Sequence, residues 1–277
     1  MSSFLIEKTI SHNGFTLHYY TAGPAENDAL VFLHPAFGDH RCFHKQVAFF
    51  AKDYHIILLD MPGHGKSQPG KNPVGIECTA DFLVQILAGE GHANCHIVGV
   101  SLGSLIAQDF AFRFPAQAKT LTVVGGYSIF GDNRSVQRAQ GGEMLKWFLM
   151  VLFSMERFRR YVARTSVLYP EGQETFYQAM QHFKRGSFRV LAGMGQVLRP
   201  EERSCPQPLL IACGDHDLPL VQRVAEAWQR KEPNSRFQGI RDAGHCANMD
   251  NAAQFNQVLS EFIGKAYHSP IFPAGRP

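Results

Sequence analysis

Short unbroken apolar runs, each followed by a longer segment of helical periodicity, set the rhythm of this chain. Residues 29–34, 55–60, 95–100, 120–124, 208–213 and 236–240 each read as a strand. In 29–33, 56–59 and 208–213 the apolar residues are continuous, as expected of strands buried on both faces of a parallel sheet. Two further strands, 4–10 and 15–21, precede them and meet at His12-Asn13-Gly14, where Asn-Gly marks a tight hairpin. Between the strands, helical spacing recurs over 75–88, 102–114, 221–231 and 252–263; in the second, Leu105, Ile106, Phe110 and Phe114 fall on one face.

From residue 127 to 203 the rhythm changes. Strand-like runs stop, and helical stretches rich in aromatics and Met follow at 144–161, 175–183 and 188–198. The expected class is α/β: a mostly parallel eight-stranded sheet with helices on both faces. The helices inserted after the sixth strand are expected to form a cap over the strand ends, where ligands bind in open parallel sheets. The core is then 1–126 with 204–277, the cap is 127–203, and the proline-rich tail from about residue 267 is loosely held.

Composition narrows the class. The 277 residues are 45% hydrophobic and 18% charged, as in a soluble globular chain, and suffice for a full core. A net charge of +3 is too small and dispersed for a nucleic-acid binder. Glu7 and Lys8 interrupt any signal-peptide core, and the apolar stretch 147–153 is far too short to span a bilayer. The six cysteines form no C-x-x-C pair, and Cys95 and Cys213 sit in strand-like runs as small hydrophobes, which suits a reducing compartment and a cytoplasmic location. A monomer or homodimer is expected.

Gly99-Val100-Ser101-Leu102-Gly103 carries the chemistry. It lies between a strand and a helix, the context in which G-x-S-x-G puts a serine on a sharp turn with its hydroxyl exposed. The bland alternative is a plain turn with Ser101 as helix N-cap. A serine hydroxyl is a weak nucleophile and needs a base, which in turn needs an orienting partner. His245, between the last strand and the last helix, is on the same rim as Ser101. Asp217, just past the seventh strand, completes the order Ser, Asp, His. Asp215, and Asp132 after the sixth strand, are alternatives for the acid.

The motifs together resemble the α/β-hydrolase superfamily in its form with a helical cap. They are His34 to Gly38 after the third strand, Asp60-x-x-Gly63-x-Gly65-x-Ser67 after the fourth, Gly99-x-Ser101-x-Gly103 after the fifth, Gly214-Asp215-His216-Asp217 after the seventh and Gly244-His245 after the eighth. The resemblance covers about residues 4–265. Its usual Gly-x-x-Asp spacing favours Asp217 as the acid. The resemblance implies a serine hydrolase in which Ser101 attacks, His245 moves protons and Asp217 holds the imidazole. An oxyanion hole then takes one N–H from Leu102 and one from Ala36 or Phe37, with Ala36 preferred. Pro35 replaces the usual Gly and has no N–H to give, and Ser104 stands where relatives often carry a second Gly.

Phe37, Trp147, Phe148, Phe176 and Met194 are candidates for the substrate pocket. Gly65-Lys66-Ser67 looks like the end of a phosphate loop, but position 60 is Asp60 where a glycine is required. His40, Cys42 and His44 lack further ligands for a metal, and Arg157, Arg159, Arg160 and Arg164 read as a solvated helix face. The expectation is a cofactor-free and metal-free carboxylesterase-like hydrolase of a small hydrophobic acyl ester, thioester or lactone. C–C bond hydrolysis, acyl transfer or a slow-turnover ligand receptor are the alternatives.

Overall fold

A computed structural model describes residues 5–12, 14–70 and 74–268. Phe4, Asn13 of the expected hairpin turn and the tail beyond 268 lie outside these residues. One eight-stranded sheet organises the chain. Its strands are β1 (Ile6–His12), β2 (Phe15–Ala22), β3 (Ala29–Leu33), β4 (His55–Leu59), β5 (Cys95–Val100), β6 (Ala118–Val124), β7 (Leu209–Gly214) and β8 (Ser235–Ile240), in the order 1-2-4-3-5-6-7-8. β1 and β2 form the expected antiparallel hairpin, β2 pairs antiparallel with β4, and the rest are parallel.

Alternation along each strand divides the core. In β3, Leu30 and Phe32 face helices α1 (His44–Phe50) and α8 (Ala252–His268), while Val31 and Leu33 face α2 (Thr79–Gly89), α3 (Leu102–Arg113) and α7 (Pro219–Gln229). The parallel register places Leu33 opposite Gly99, Val100 opposite Val124 and Gly214 opposite Ile240. The loops that leave β3, β5, β6, β7 and β8 therefore emerge on one rim.

Between β6 and β7 lie α4 (Arg134–Phe153), α5 (Met155–Ser166), α6 (Pro170–Ala179) and a 3-10 stretch, Arg185–Gln196. Two details differ from the sequence reading. The helix expected over 144–161 is broken at Ser154, whose extended backbone and side-chain acceptor for the Arg157 N–H cap a new helix. The 188–198 stretch is 3-10 rather than α. The insertion is rooted where Phe130 bridges Arg199, and the Arg199 guanidinium donates to Asp109 of α3 at 2.8 Å. Among the described residues no helix is long and apolar enough to cross a membrane.

Candidate active site

β5 delivers Ser101 at φ 52°, ψ −114°, a left-handed backbone that a serine adopts at a cost of about 1–3 kcal/mol. The surroundings force it. A Cβ on Gly99 would lie 2.2 Å from the Gly103 carbonyl oxygen, and one on Gly103 would lie 2.1 Å from the Leu33 oxygen and 2.8 Å from that of His34. The start of α3 is thus pressed onto the loop after β3. The Ser101 N–H donates to the Val124 oxygen at 2.8 Å, and the Ser104 hydroxyl donates to the Ser101 oxygen at 2.6 Å. Gly126 leaves room for that hydroxyl, since a Cβ there would approach it to 2.0 Å. Ser104 is therefore a brace for the turn.

The three side chains separated in sequence meet at this rim. His245 Nδ1 lies 3.0 Å from Asp217 Oδ2, and His245 Nε2 lies 2.8 Å from Ser101 Oγ. A carboxylate only accepts, so Nδ1 carries the hydrogen and Nε2 of the neutral ring accepts from the Ser101 hydroxyl. The Asp217 side chain is 0% exposed; it also accepts from the Leu218 N–H at 2.7 Å and from the Cys213 thiol. Burial alone would lower the His245 pKa, but the adjacent Asp217 charge and its hydrogen bond outweigh burial and hold it above the ordinary value.

The other acid candidates are placed elsewhere. Asp215 accepts from the Ala243 N–H at 3.1 Å and ties the loops after β7 and β8 together; that N–H helps to keep its carboxyl below the usual range despite the opposing effect of burial. Asp132 is exposed and paired with Arg134.

Opposite Ser101, the loop after β3 turns back on itself, with the Gly38 N–H donating to the Pro35 oxygen at 3.2 Å. His34 underpins it as a neutral ring. Its Nδ1–H donates to the Pro35 oxygen, its Nε2 accepts from the Met61 N–H, and burial holds its pKa down. Among the described residues the N–H groups of Ala36, Phe37 and Leu102 donate to no protein acceptor. These are the donors expected of an oxyanion hole.

The pocket candidates divide. Trp147 is half-buried and edge-on to Phe37, Phe176 is fully buried against Gly38, and Met194 packs half-buried against the core on the side of α2 and α3. Phe148 is a correction: it is 63% exposed and turned to solvent, because α4 presents Trp147 inward and the next residue sits about 100° further round the helix. Arg159, expected on a solvated face, instead caps the carbonyls of Met180, Gln181 and Phe183.

Asp39, His40 and Asp60 offer ligand atoms within 4.8 Å of one another. Each already has partners: Asp39 holds Arg41, and Asp60 accepts from the His40 ring and from the N–H groups of His40 and Lys66. The cluster is a joint between the loops after β3 and β4. Cys42 is buried, and all six cysteines are free.

Sequence reasoning missed Asp250. Its Oδ1 accepts from the Leu168 and Tyr169 N–H groups of the insertion and its Oδ2 from the Gly244 N–H, so it fastens the loop that carries His245 to the inserted helices. Only its position five residues past the histidine could have drawn attention to it.

A model of the alpha/beta hydrolase family matches residues 30–258. Over 94% of this chain and 98% of the relative, the sequence is 25% identical to (E)-2-((N-methylformamido)methylene)succinate hydrolase of Acinetobacter baylyi. Over 89% and 90%, it is 27% identical to a 2-hydroxy-6-oxononadienedioate/2-hydroxy-6-oxononatrienedioate hydrolase of Burkholderia vietnamiensis. A thermophilic esterase from Thermogutta terrifontis superposes with a TM-score of 0.77 at 20% identity, covering 95% of this chain and 99% of that one. The order of the strands, the turn at Ser101 and the family match over most of the length agree: the chain belongs to the alpha/beta hydrolase family and is a hydrolase.

Proposed function

We propose that this hydrolase cleaves an ester, thioester or lactone of a small hydrophobic acyl compound through an acyl-enzyme on Ser101. The observation that carries the reading is the hydrogen-bonded series from Asp217 through His245 to Ser101 Oγ. As Oγ bonds to the substrate carbonyl carbon, its proton passes to His245 Nε2, and Asp217 stabilises the imidazolium. The carbonyl oxygen, now an oxyanion, is met by the N–H groups of Leu102 and Ala36. Collapse breaks the bond to the leaving group, which takes the proton from Nε2. Water then gives a proton to the same nitrogen as its oxygen bonds to the acyl carbon; collapse breaks the Oγ–acyl bond, Oγ takes the proton back from Nε2, and the acid is freed. The inserted helices act as a cap over this rim. No cofactor is needed for any of these steps.

The chemistry of the insertion supports a neutral substrate. Arg159 is spent on backbone carbonyls, Arg185 on those of Val151 and Leu152, Arg189 on Gly70 and Arg199 on Asp109. The wall next to the loop after β3 is aromatic. C–C bond hydrolysis of a dienoic diketo acid by the same residues is the second reading, favoured by the relatives named oxononadienedioate/oxononatrienedioate hydrolases at 27% and 28% identity. Stopped-flow release of p-nitrophenol from short-chain esters tests the first. A burst near one equivalent, abolished in Ser101→Ala, supports it; no release from any ester, with turnover of a diketo acid, favours the second.

A further inference from the structure

The turn after β3 has a residue poorly suited to its backbone. The hydrogen bond from Gly38 to Pro35 closes a four-residue turn whose third residue, Phe37, has φ 71°. A turn of this form asks for glycine at that position, because a Cβ is strained there. Phe37 is nonetheless 3% exposed. Its ring meets Trp147, Phe158 and Phe183 edge-on, with centroids 5.3, 5.1 and 5.0 Å away, and Phe188 tilted at 5.8 Å. Trp147 comes from α4, Phe158 from α5, and Phe183 and Phe188 from the segment after α6. Those rings also pack on one another. A ring from the sheet's rim is thus held by several separate pieces of the insertion.

We propose that Phe37 is a positioning residue: its ring, held by the aromatic side chains of the inserted helices, keeps the turn from Pro35 to Gly38 in the form that presents the Ala36 N–H beside Leu102. The oxyanion hole is then complete only while the insertion is seated on the sheet. This rests on the reading of Ser101 as nucleophile. If the insertion lifts, the left-handed backbone of Phe37 loses the packing that sustains it and the donor swings away. Substrate contacts that seat the helices are therefore expressed in kcat rather than only in KM.

The test compares Phe37→Ala, Phe37→Gly and Phe183→Ala, alone and combined, by ester kinetics, inhibition by a trifluoromethyl ketone analogue and thermal unfolding. Phe37→Ala keeps the strained backbone without its ring, and kcat should fall about 100-fold, as for a lost oxyanion donor. KM should change less than about threefold, and inhibition by the ketone should weaken in step with kcat. Phe37→Gly takes a positive φ without strain, so it should retain at least roughly tenfold more kcat than Phe37→Ala and unfold at a higher temperature. Phe183→Ala should lower kcat in the wild-type background and have little effect in the Phe37→Gly background. Equal kcat for Phe37→Ala and Phe37→Gly, or the same Phe183→Ala loss in both backgrounds, overturns the proposal. A wild-type enzyme silent toward esters and unlabelled at Ser101 defeats the hydrolase reading instead. The unfolding order of the two Phe37 variants then decides the coupling: Phe37→Ala below Phe37→Gly upholds it, and equal melting overturns it.

Discussion

Asp217→Asn probes the proposed proton relay with the least disturbance of shape. In the wild type, Oδ1 takes the Leu218 N–H at 2.7 Å and lies 3.1 Å from His245 Nδ1, while Oδ2 lies 3.0 Å from Nδ1 and accepts from the Cys213 thiol. Asparagine has one oxygen and one NH2. The Leu218 N–H can be satisfied only by the oxygen, so the NH2 group takes the place of Oδ2, the nearer of the two atoms to Nδ1. Donation from that NH2 to Nδ1 favours the tautomer with the hydrogen on Nε2, which donates to Ser101 Oγ and cannot accept the hydroxyl proton. The substitution also removes the charge that would steady the imidazolium. A wrong tautomer in this arrangement lowers kcat about 10⁴-fold, or about 5 kcal/mol at the transition state. The assay is steady-state hydrolysis of p-nitrophenyl butyrate by wild type, Asp217→Asn and Asp215→Asn, with unfolding curves as the control for fold. Asp215→Asn should cost less than about tenfold in kcat, since its carboxylate braces the Ala243 N–H rather than the imidazole. A loss below tenfold in Asp217→Asn, or a larger one in Asp215→Asn, would refute the assignment of the acid.

Three further outcomes follow from the same geometry. Because the His245 pKa is held above its usual value and the neutral ring is the active form, kcat/KM should rise with pH through an inflection above about 6.5; an inflection below that value, measured with a neutral ester, contradicts the pairing with Asp217. His64 is wholly buried, with Nδ1 donating to the Pro62 oxygen and Nε2 without a partner among the described residues, and burial lowers its pKa to about 3. Its native pKa lies below its unfolded one, so stability holds above about pH 6.5 and falls on acidification, by about 2 kcal/mol at pH 5. Chemical denaturation at pH 7 and 5 should show a smaller drop in His64→Asn, which keeps a donor without a titrating ring, and an equal drop argues against this. Gly103→Ala should destabilise by about 1–3 kcal/mol and impair turnover, because the new methyl meets the backbone oxygens of Leu33 and His34; an unchanged Tm would contradict the close contact.

Why some of this was legible in the sequence and some was not has a physical basis. Continuous apolar runs such as Leu30 to Leu33 and Ile56 to Leu59 are buried on both faces, so their strands and their class can be read directly. Ser101, Asp217 and His245 each stand just past a strand, and a parallel sheet brings such positions to one rim whatever lies between them. The conformation of Phe37 was hidden because its partners lie over a hundred residues away, and only the packing of the insertion shows why an aromatic side chain occupies a glycine-like position. The solvent-facing side of Phe148 was hidden for a related reason, since an aromatic-rich helix does not announce which of its faces is covered. Asp250 acts through backbone N–H groups, which leave no trace in side-chain pattern. The break at Ser154 was readable in principle, as a serine three residues before Arg157 has the form of an N-cap, but strong helical periodicity on both sides masked it.

Covalent capture of the proposed nucleophile is the most direct measurement. Incubation with a fluorophosphonate ester, followed by intact-mass and peptide-level mass spectrometry, should show one phosphonyl group per chain, located on Ser101 and absent from Ser101→Ala, with labelling slowed in His245→Ala. A folded wild-type protein that takes up no label, or takes it up equally after Ser101→Ala, would contradict the claim that Asp217 and His245 make the Ser101 hydroxyl reactive.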